Sequence, residues 1–392
     1  MNAEGGQAGE PFRRELRAWL EANLPREWRA PGFWHVMDEQ RSFDLRREWE
    51  RKKCDAGWAG VDWPARYGGR GGSVLERAIY EEEMALAAAP ESVNPQIPII
   101  GPSILLFGEE WQKKRFLKPM LRCEELWCQG FSEPEAGSDL ASLRTRAAAE
   151  GDHFVLNGHK IWTSFAAICD WIFVLARTSS GAKKHAGITL FLADMKTPGI
   201  TARPIRHMTG RQDFAEVFFD NVRVPAENVL GGVDQGWKVI NGLLKEERAA
   251  RAGQYAFFSR HLQLLARFMR KSRKNGKPAM GDPVLRQRLG QVCVDMELLR
   301  IHSLETMRHM ADGTAGDMDA PLTKFFSGET HQDMGEVFAD AAGANWHLTS
   351  DDGLLRELQF VFMRSRAETI SGGSSQIQRN IIGERVLGLP RD

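Results

Sequence analysis

The stretch Trp127–Ser164 reads WCQGFSEPEAGSDLASLRTRAAAEGDHFVLNGHKIWTS and joins two short polar clusters through strand-like sequence. The first cluster is Phe131–Pro134. Pro134 fixes its own φ angle and disfavours the helical conformation at Glu133, so this cluster is predicted to form a turn. The hydroxyl and the backbone N–H of Ser132 would then point towards the edge of a ligand.

The second cluster, Ile161–Ser164, follows Asn157-Gly158, a dipeptide typical of tight β-hairpin turns. Successive side chains of a strand point to opposite faces, which predicts Trp162 and Ser164 on one face and Thr163 on the other. A flat ring system held there would stack on the indole and bond to the neighbouring hydroxyl. From the residues alone, the same alternation is more often that of an ordinary β-sheet that binds no ligand.

The composition limits the class of protein. The 392 residues include 52 basic and 52 acidic side chains, so the formal net charge is zero. This length suffices for two or three domains with substantial cores, and the balanced charge argues against a nucleic-acid-binding protein. The chain begins MNAEGGQAGEPFRRELRAWL, without a charged leader followed by a long apolar run. We therefore expect neither a secretory signal nor a membrane span, but a cytoplasmic protein.

The cysteines form no metal-binding or paired pattern. They are odd in number, with no Cys-x-x-Cys spacing and no His-rich companion. This pattern favours neither a disulfide framework nor a zinc site, and buried apolar thiols are predicted instead. The five positions are Cys54, Cys123, Cys128, Cys169 and Cys293.

Hydrophobic spacing divides the chain into three regions. Residues 11–122 show helical periodicity, whereas 126–231 consists of short apolar runs separated by turn dipeptides. Helical patterns resume after Gly232–Gly236 and are interrupted at 270–277 and at 312–319.

The predicted fold is therefore α+β, with three domains. An N-terminal helical domain covers 1–125, a middle antiparallel β domain 126–231 and a C-terminal helical bundle 232–392. The glycine-rich segment Trp63–Gly72 is predicted to be a connecting loop, because it lacks the strand-to-helix frame of a phosphate-binding loop. Strands in the middle domain are predicted at His153–Leu156, Trp171–Ala176, Ile188–Leu192 and Glu216–Phe219.

The stretch Trp127–Ser164 resembles the middle-domain signature of the acyl-CoA dehydrogenase flavoproteins, and the similarity extends over nearly the whole chain. The resemblance implies an FAD-dependent enzyme that converts an acyl-CoA thioester to a 2-enoyl-CoA and passes electrons to an electron-transfer flavoprotein. It also implies a homo- or hetero-oligomer, either a dimer or a tetramer, and no metal. The residues implied to hold the ring end of the FAD are Gln129, Phe131, Ser132, Trp162 and Ser164, and Ser138 is implied to touch the acyl-CoA.

The catalytic base is where the chain departs from the commonest family pattern. Many members carry a glutamate at the position matching Gly372 in the run Ser371–Ser375, and glycine cannot accept a proton. A smaller branch, which includes isovaleryl- and long-chain-specific enzymes, supplies the base from a Glu-Arg pair on the first long helix after the β domain. Resemblance to that branch assigns the base to Glu247 and a substrate-binding role to Arg248.

Helical periodicity gives Glu247 an apolar setting independently of the resemblance. A carboxyl group on a desolvated stripe has a raised pKa, as a base working near neutral pH requires. The alternative is an ordinary surface ion pair between Glu247 and Arg251, four residues on. Glu246 is the second candidate for the base. The stripe consists of Ile240, Leu243, Leu244, Glu247 and Ala250.

The C-terminal loop is predicted to begin a helix capped by Ser374. The resemblance implies that Ser374 and Gln376 reach the adenosine and diphosphate part of the FAD, and a helix N-terminus suits a diphosphate. A capped helix without a ligand is the alternative. The basic segment 270–277 is interpreted either as a solvated loop or as a source of positive charge for the cofactor.

Three further interpretations stay open. The Arg-x-x-Phe-Gly and Gln-x-x-Gly-Gly segments, through which neighbouring subunits of the family usually complete the cofactor site, are not convincingly retained. The chain is therefore compatible with a two-subunit enzyme. A flavin-dependent monooxygenase or oxidase on the same fold is an alternative function, and a non-catalytic partner subunit of a heteromeric dehydrogenase is another.

Overall fold

The middle of the chain forms an eight-stranded sheet. Its strands are β1 (Trp127–Gly130), β2 (Arg146–Glu150), β3 (His153–Ser164), β4 (Trp171–Arg177), β5 (Ile188–Asp194), β6 (Ile200–Ile205), β7 (Phe214–Pro225) and β8 (Val229–Leu230). They lie in the order β6-β7-β3-β2-β4-β5-β8, with β1 paired to β4 beside this path. The computed structural model describes residues 9–180, 183–242, 254–274, 276–314, 316, 318–348 and 350–390.

Helices precede and follow the sheet. Those before it are α1 (Glu10–Asn23), α2 (Phe33–Val36), α3 (Glu39–Asp55), α4 (Val74–Leu86), α5 (Ile97–Phe107) and α6 (Glu110–Leu121). Those after it include α7 (Gln254–Lys271), α8 (Pro283–Ala311), α9 (Asp319–Ala342), α10 (Gly353–Glu368) and α11 (Ser375–Ile381). The α+β fold class is confirmed, and so is the predicted break between α8 and α9. Among the described residues, no helix has both the length and the apolar character needed to cross a membrane.

The described residues fall into two compact units. The sheet unit takes its residues from 43–71 and 91–247, and the helical unit takes its residues from 1–42, 72–90 and 248–392. In the sheet unit, α5 and α6 share a hydrophobic core with the strands. In the helical unit, α4 packs with α7 and α8, which follow the sheet, and α1 packs against α4. The helices of the N-terminal region are therefore divided between two cores.

The centre of the sheet is buried on both faces. Every residue from Ile172 to Ala176 in β4 is inaccessible to solvent, because β4 lies between two hydrophobic layers. Phe173 and Leu175 pack in the layer that includes α5 and α6. Ile172 and Val174 face the layer formed with β3 and β7. A rigid, dry β4 therefore supports the neighbouring strands.

The hairpin predicted at Asn157-Gly158 is wrong. β3 continues through this dipeptide, although its pairing with β7 shifts between Leu156 and Gly158, and the turn that joins β2 to β3 lies at 151–152 instead. Asn157 pairs with Asn221 across β7, through an Asn221 N–H to Asn157 Oδ1 bond of 2.9 Å. A Cβ atom on Gly158 would lie 2.3 Å from Thr145 Oγ1. Glycine is required here for a close approach within the sheet, so the tertiary contact overrides the local turn preference.

The predicted strands are confirmed, and most of them extend further than the sequence indicated. His153–Leu156 is only the first third of β3, and Glu216–Phe219 lies within the first half of β7. Most pairings are antiparallel, as predicted. However, β4 pairs in parallel with both β1 and β2.

Two segments were predicted to be loops between helices, and the prediction is more accurate for the first than for the second. Trp63–Gly72 is a connecting segment, as predicted, with a single 3₁₀ turn at Ala65–Tyr67. The basic segment 270–277 is only partly a loop. It contains the end of α7 and a small antiparallel ladder between β9 (Arg273–Lys274) and β10 (Lys277–Pro278).

All five cysteines are free thiols. Cys123 and Cys128 are buried as predicted, and burial raises the pKa of both thiols. The prediction is wrong for Cys293, which is exposed. The inward positions of α8 around it are Val292 and Met296, so helical spacing turns Cys293 away from the core.

Candidate active site

Trp162 stands at an irregularity of β3. The pairing of β3 with β7 slips between Lys160 and Thr163, where two residues of β3 oppose one of β7. Such a β-bulge redirects a side chain. Trp162 has a φ of +59° and is 55% exposed. A bulky residue in the left-handed region costs about 1–2 kcal/mol, and strain of this kind is typical of functional positions.

The bulge separates Trp162 from the interior side of the strand. Thr163 is fully buried, whereas Trp162 is largely exposed and its indole packs edge-to-face with Phe214, with ring centroids 6.1 Å apart. Ser164 is half-buried and pairs with Phe214 in the ladder. Trp162 and Thr163 therefore face opposite ways, although a bulge rather than a regular strand produces this arrangement.

A turn is present near the predicted one at Phe131–Pro134, but it lies two residues further on, at Glu133–Ala136. Glu133 and Ala136 exchange two backbone hydrogen bonds of 3.0 Å, which close the turn. Phe131 anchors it, since its ring packs edge-on against Phe173 of β4 at 5.5 Å. The Ile161 N–H donates to the Ser132 carbonyl at 2.9 Å. The structure thus brings the two polar clusters of the sequence together.

A buried ion pair lies between these two clusters. Lys160 Nζ is 2.8 Å from Glu133 Oε1, with the side chains 0% and 8% exposed. Burial lowers the pKa of Lys160 to about 8, although the carboxylate of Glu133 opposes this shift. Burial would raise the pKa of Glu133, but the charge and hydrogen bond of Lys160 outweigh it and lower the pKa overall. Both groups are therefore charged at neutral pH.

Sequence reasoning missed this pair. A signal existed, because Lys160 has the same strand parity as the buried residues Phe154 and Leu156. A lysine on the inward face of a predicted strand needs a buried anion. The sequence did not indicate which carboxylate, since Glu133 lies 27 residues away.

A basic cleft lies beside the loop that carries Ser138. Its volume is about 600 Å³, and its lining includes Arg144, Arg146, Arg177, Lys183 and Lys184. The Arg177 guanidinium is committed to structure, because it donates to backbone carbonyls such as that of Ala141 at 2.8 Å. Lys184 pairs with Asp139 at 2.8 Å, next to the exposed Ser138. Arg146 is exposed and supplies charge to the cleft rim.

Comparison with known proteins gives one consistent result. Models of the N-terminal, middle and C-terminal domains of acyl-CoA dehydrogenases match residues 8–124, 128–222 and 234–387. The chain belongs to the acyl-CoA dehydrogenase family. As a member of this family, it is an oxidoreductase.

Relatives of this dehydrogenase match it over its full length. The acyl-CoA dehydrogenase IpdE1 of Mycobacterium tuberculosis is 40% identical over 98% of both chains. The solved structure described as the Tcur3481-Tcur3483 steroid ACAD has a TM-score of 0.85 and 30% identity over 98% of each chain. The ChsE4-ChsE5 complex from Mycobacterium tuberculosis has a TM-score of 0.84 and 28% identity, covering 100% of this chain and 99% of that one.

The base of the dehydrogenase cannot be located from the described residues. Residues 236–242 form the helix predicted after the β domain, and Val239 and Ile240 are buried in the sheet unit. Glu247, Arg248 and the second candidate Glu246 lie outside the described residues. Their assignment stays a prediction from the sequence.

The C-terminal loop of the dehydrogenase has the predicted cap. The Ser374 hydroxyl accepts the Ile377 N–H at 3.3 Å, which starts α11 in the helical unit. Gln376 is exposed. Gly372 and Gly373 have φ angles of +64° and +88°, a conformation that favours glycine. The role predicted for Ser374 and Gln376 in holding a cofactor is untested by this geometry.

Proposed function

We propose that this acyl-CoA dehydrogenase uses FAD to convert an acyl-CoA thioester to a 2-enoyl-CoA and passes the electrons to an electron-transfer flavoprotein. The observation that carries the proposal is the strained and exposed Trp162. Trp162 combines a left-handed backbone conformation with a half-exposed indole. Such a strained arrangement of a bulky residue is typical of a position at which the side chain has a function.

The residues around Trp162 suit a flat heteroaromatic ring. The exposed indole provides a stacking surface, while Ser132 and Ser164 provide hydroxyl groups on the two clusters that the Ile161 N–H joins. Gln129 lies on the neighbouring strand β1 and is half-buried. When bound, FAD supplies an acceptor for the β-hydrogen of the thioester as hydride. The chain itself orients the ring and excludes water from it.

Removal of the α-proton is assigned to Glu247. The proposal rests on resemblance to the branch of the family with a Glu-Arg pair at this position and on the apolar spacing of the sequence around it. A carboxylate in such a setting has a raised pKa and takes up a proton near neutral pH. Arg248 is assigned to binding the substrate.

The basic cleft suits the phosphate groups of coenzyme A. The chain has no net charge, so a local cluster of arginine and lysine is needed to attract a polyanion. Its position beside Ser138 agrees with the substrate contact predicted for that residue. Arg146→Ala is expected to raise KM about threefold to fivefold, as for a partly exposed charge pair, with kcat unchanged. A KM within error of the wild type would show that the cleft is not part of the substrate site.

A bulky acyl group is the substrate class that we propose. One structural neighbour is described as a steroid ACAD, and Gly372 replaces the side chain that many relatives carry at this position. Gly372→Glu is expected to lower kcat/KM for a steroid-derived acyl-CoA more than for a linear one. Gly372→Ala introduces the same backbone strain without the bulk and is the matched control. Equal losses for both substrates would contradict a bulky acyl group.

The decisive experiment is anaerobic reduction of the flavin by acyl-CoA, followed by its absorbance. Glu247→Gln is expected to slow this reduction by about 10²-fold or more, as for loss of a general base, while FAD and acyl-CoA still bind. Glu246→Gln is the control and keeps the wild-type rate. A rapid reduction in Glu247→Gln would overturn the assignment of the base. Turnover only with oxygen and reduced flavin would instead indicate a monooxygenase.

A two-subunit enzyme is the second candidate, favoured by the heteromeric neighbours Tcur3481-Tcur3483 and ChsE4-ChsE5. In that case the chain expressed alone is colourless, and co-expression with a second acyl-CoA-dehydrogenase-like chain restores the yellow colour. A yellow and active protein from this chain alone would exclude the need for a partner.

A further inference from the structure

The ammonium group of Lys160 is placed where the two polar clusters meet. Lys160 is fully buried in β3 and is the last residue paired with β7 before the bulge that presents Trp162. Its Nζ donates to the Phe131 carbonyl at 3.0 Å and to Glu133 Oε1 at 2.8 Å. These two acceptors belong to the residues on either side of Ser132. A single cation therefore clamps the chain on both sides of Ser132.

The carboxylate of Glu133 extends this clamp. It accepts the backbone N–H groups of Arg144 at 2.6 Å and Thr145 at 2.9 Å, in addition to the ammonium group. The turn is thus tied to the chain that leads into β2, as well as to β3. With the Ile161 N–H on the Ser132 carbonyl, the backbone around Ser132 has few ways to move relative to Trp162.

Stability alone does not account for this pair. Apolar residues of similar volume in place of a buried ion pair often leave stability unchanged or raise it. Burial of the charged Lys160 is unfavourable, as its pKa shows, because burial lowers this pKa to about 8. The pair does fix a geometry, since a charge-assisted bond to a carbonyl and a carboxylate has a defined length and direction.

We propose that Lys160 is a positioning residue for the cofactor: it fixes the segment Phe131–Glu133 against the strand that carries Trp162 and Ser164, so that the stacking surface and the hydrogen-bonding segment around Ser132 are preorganised before FAD binds. This inference rests on the proposed FAD function. It adds to that function a residue that does not itself face the ring.

The test uses the affinity of the apoprotein for FAD, measured by quenching of flavin fluorescence. Lys160→Met is expected to weaken FAD binding by about tenfold or more, the effect of losing one or two strong polar contacts. The flavin absorbance spectrum should also shift, because the turn no longer holds its position. Unfolding by urea is measured on the same apoproteins.

A second variant separates positioning from stability. Lys160→Met combined with Glu133→Gln buries no unpaired charge, so it is expected to regain most of the stability lost in Lys160→Met. It still lacks the bond to the Phe131 carbonyl, and its FAD affinity should stay low. Where Lys160→Met alone does not fold, this double variant provides the test.

Lys53→Met is the matched control. Lys53 and Glu50 form another buried pair in the sheet unit, 2.9 Å apart and 8% and 5% exposed, on helix α3. Lys53→Met is expected to lower stability but to leave FAD affinity within about twofold of the wild type. Wild-type affinity in the double variant, or an equal loss of affinity in Lys53→Met, would overturn the positioning role. Failure of the wild-type chain to bind FAD both alone and when co-expressed with a second acyl-CoA-dehydrogenase-like chain would instead refute the proposed function.

Discussion

In two buried pairs of ionisable side chains, one in each unit, burial lowers the pKa of a basic group, but the two pairs differ in their charge at pH 7. In the sheet unit, Lys160 meets the carboxylate Glu133 at 2.8 Å. In the helical unit, His261 meets His331, with Nδ1 and Nε2 3.3 Å apart and the rings nearly parallel. Burial lowers the pKa of Lys160 to about 8 and that of His331 to about 4. The first pair is therefore charged at pH 7, while the second is neutral.

The difference comes mainly from the ordinary pKa of the two side chains, 10.5 for Lys160 and 6.5 for His331, since burial lowers both. The anion that faces Lys160 opposes this shift and helps Lys160 to keep its proton. His261 has a pKa well below its usual value because of burial and because its neighbour His331 is another base. The stability that the charged pair contributes depends on both partners being present, whereas the stability that the neutral pair contributes depends on pH.

Removing the anion of the charged pair should have the largest effect. Glu133→Leu leaves Lys160 without a counter-ion and the N–H groups of Arg144 and Thr145 without an acceptor. The free energy of unfolding at pH 7 is expected to fall by about 3–5 kcal/mol. Urea unfolding at pH 7 and pH 9 checks this. The loss should be smaller at pH 9, because Lys160 is then neutral in the folded protein.

Glu50→Leu removes the anion of the Glu50–Lys53 pair on α3. The stability lost in this variant gives the comparison for a buried ion pair within one helix. A loss of stability in Glu133→Leu that did not depend on pH would mean that the stranded charge is not its cause.

A fall in pH should destabilise the protein through the neutral pair. The folded protein does not protonate His331 until about pH 4, whereas the unfolded chain does so near 6.5. The unfolded state therefore binds more protons between these values, and stability falls as the pH drops through this window. The contribution amounts to about 3 kcal/mol. His331→Phe is expected to flatten the dependence of urea unfolding on pH between 6.5 and 4.

The control for this prediction is Phe258→Leu, which disturbs the ring stacked on His331 at 4.2 Å without removing a titrating group. It should lower stability by a similar amount at every pH. The charges that act on His331 from nearby are those of Glu368, Arg364 and Arg366. If His331→Phe and the wild type have parallel pH profiles, His331 is not the acid-sensitive group.

The smallest expected effect extends the comparison from side-chain burial to the backbone. Trp162 holds a left-handed φ of +59°. Trp162→Gly and Trp162→Ala both remove the indole, but only glycine adopts this φ without strain, so the glycine variant should be about 1 kcal/mol more stable. Thermal unfolding of the two apoproteins measures this difference. Equal stability would show that the bulge relaxes when the indole is removed.

Prediction from the sequence was most accurate where neighbouring residues determine the local structure. Pro134 indicated the turn, Ser374 indicated the start of α11, and the polar segment 312–319 indicated the break between two helices; each is present. The local rule failed at Asn157-Gly158. There the glycine serves a contact with Thr145 from a different segment of the chain, which no pattern within β3 specifies.

The amino-acid sequence by itself indicated the family, through the resemblance carried by Trp127–Ser164. It also determined the α+β fold class and the two polar clusters, because periodicity, caps and turns depend on neighbours within a few residues. The tertiary structure alone decided the register slip that exposes Trp162, the clamp of Lys160 on a turn some thirty residues earlier, and the histidine pair joined across 70 residues. These features depend on which strands and helices meet, and on how far burial shifts a charge once they do.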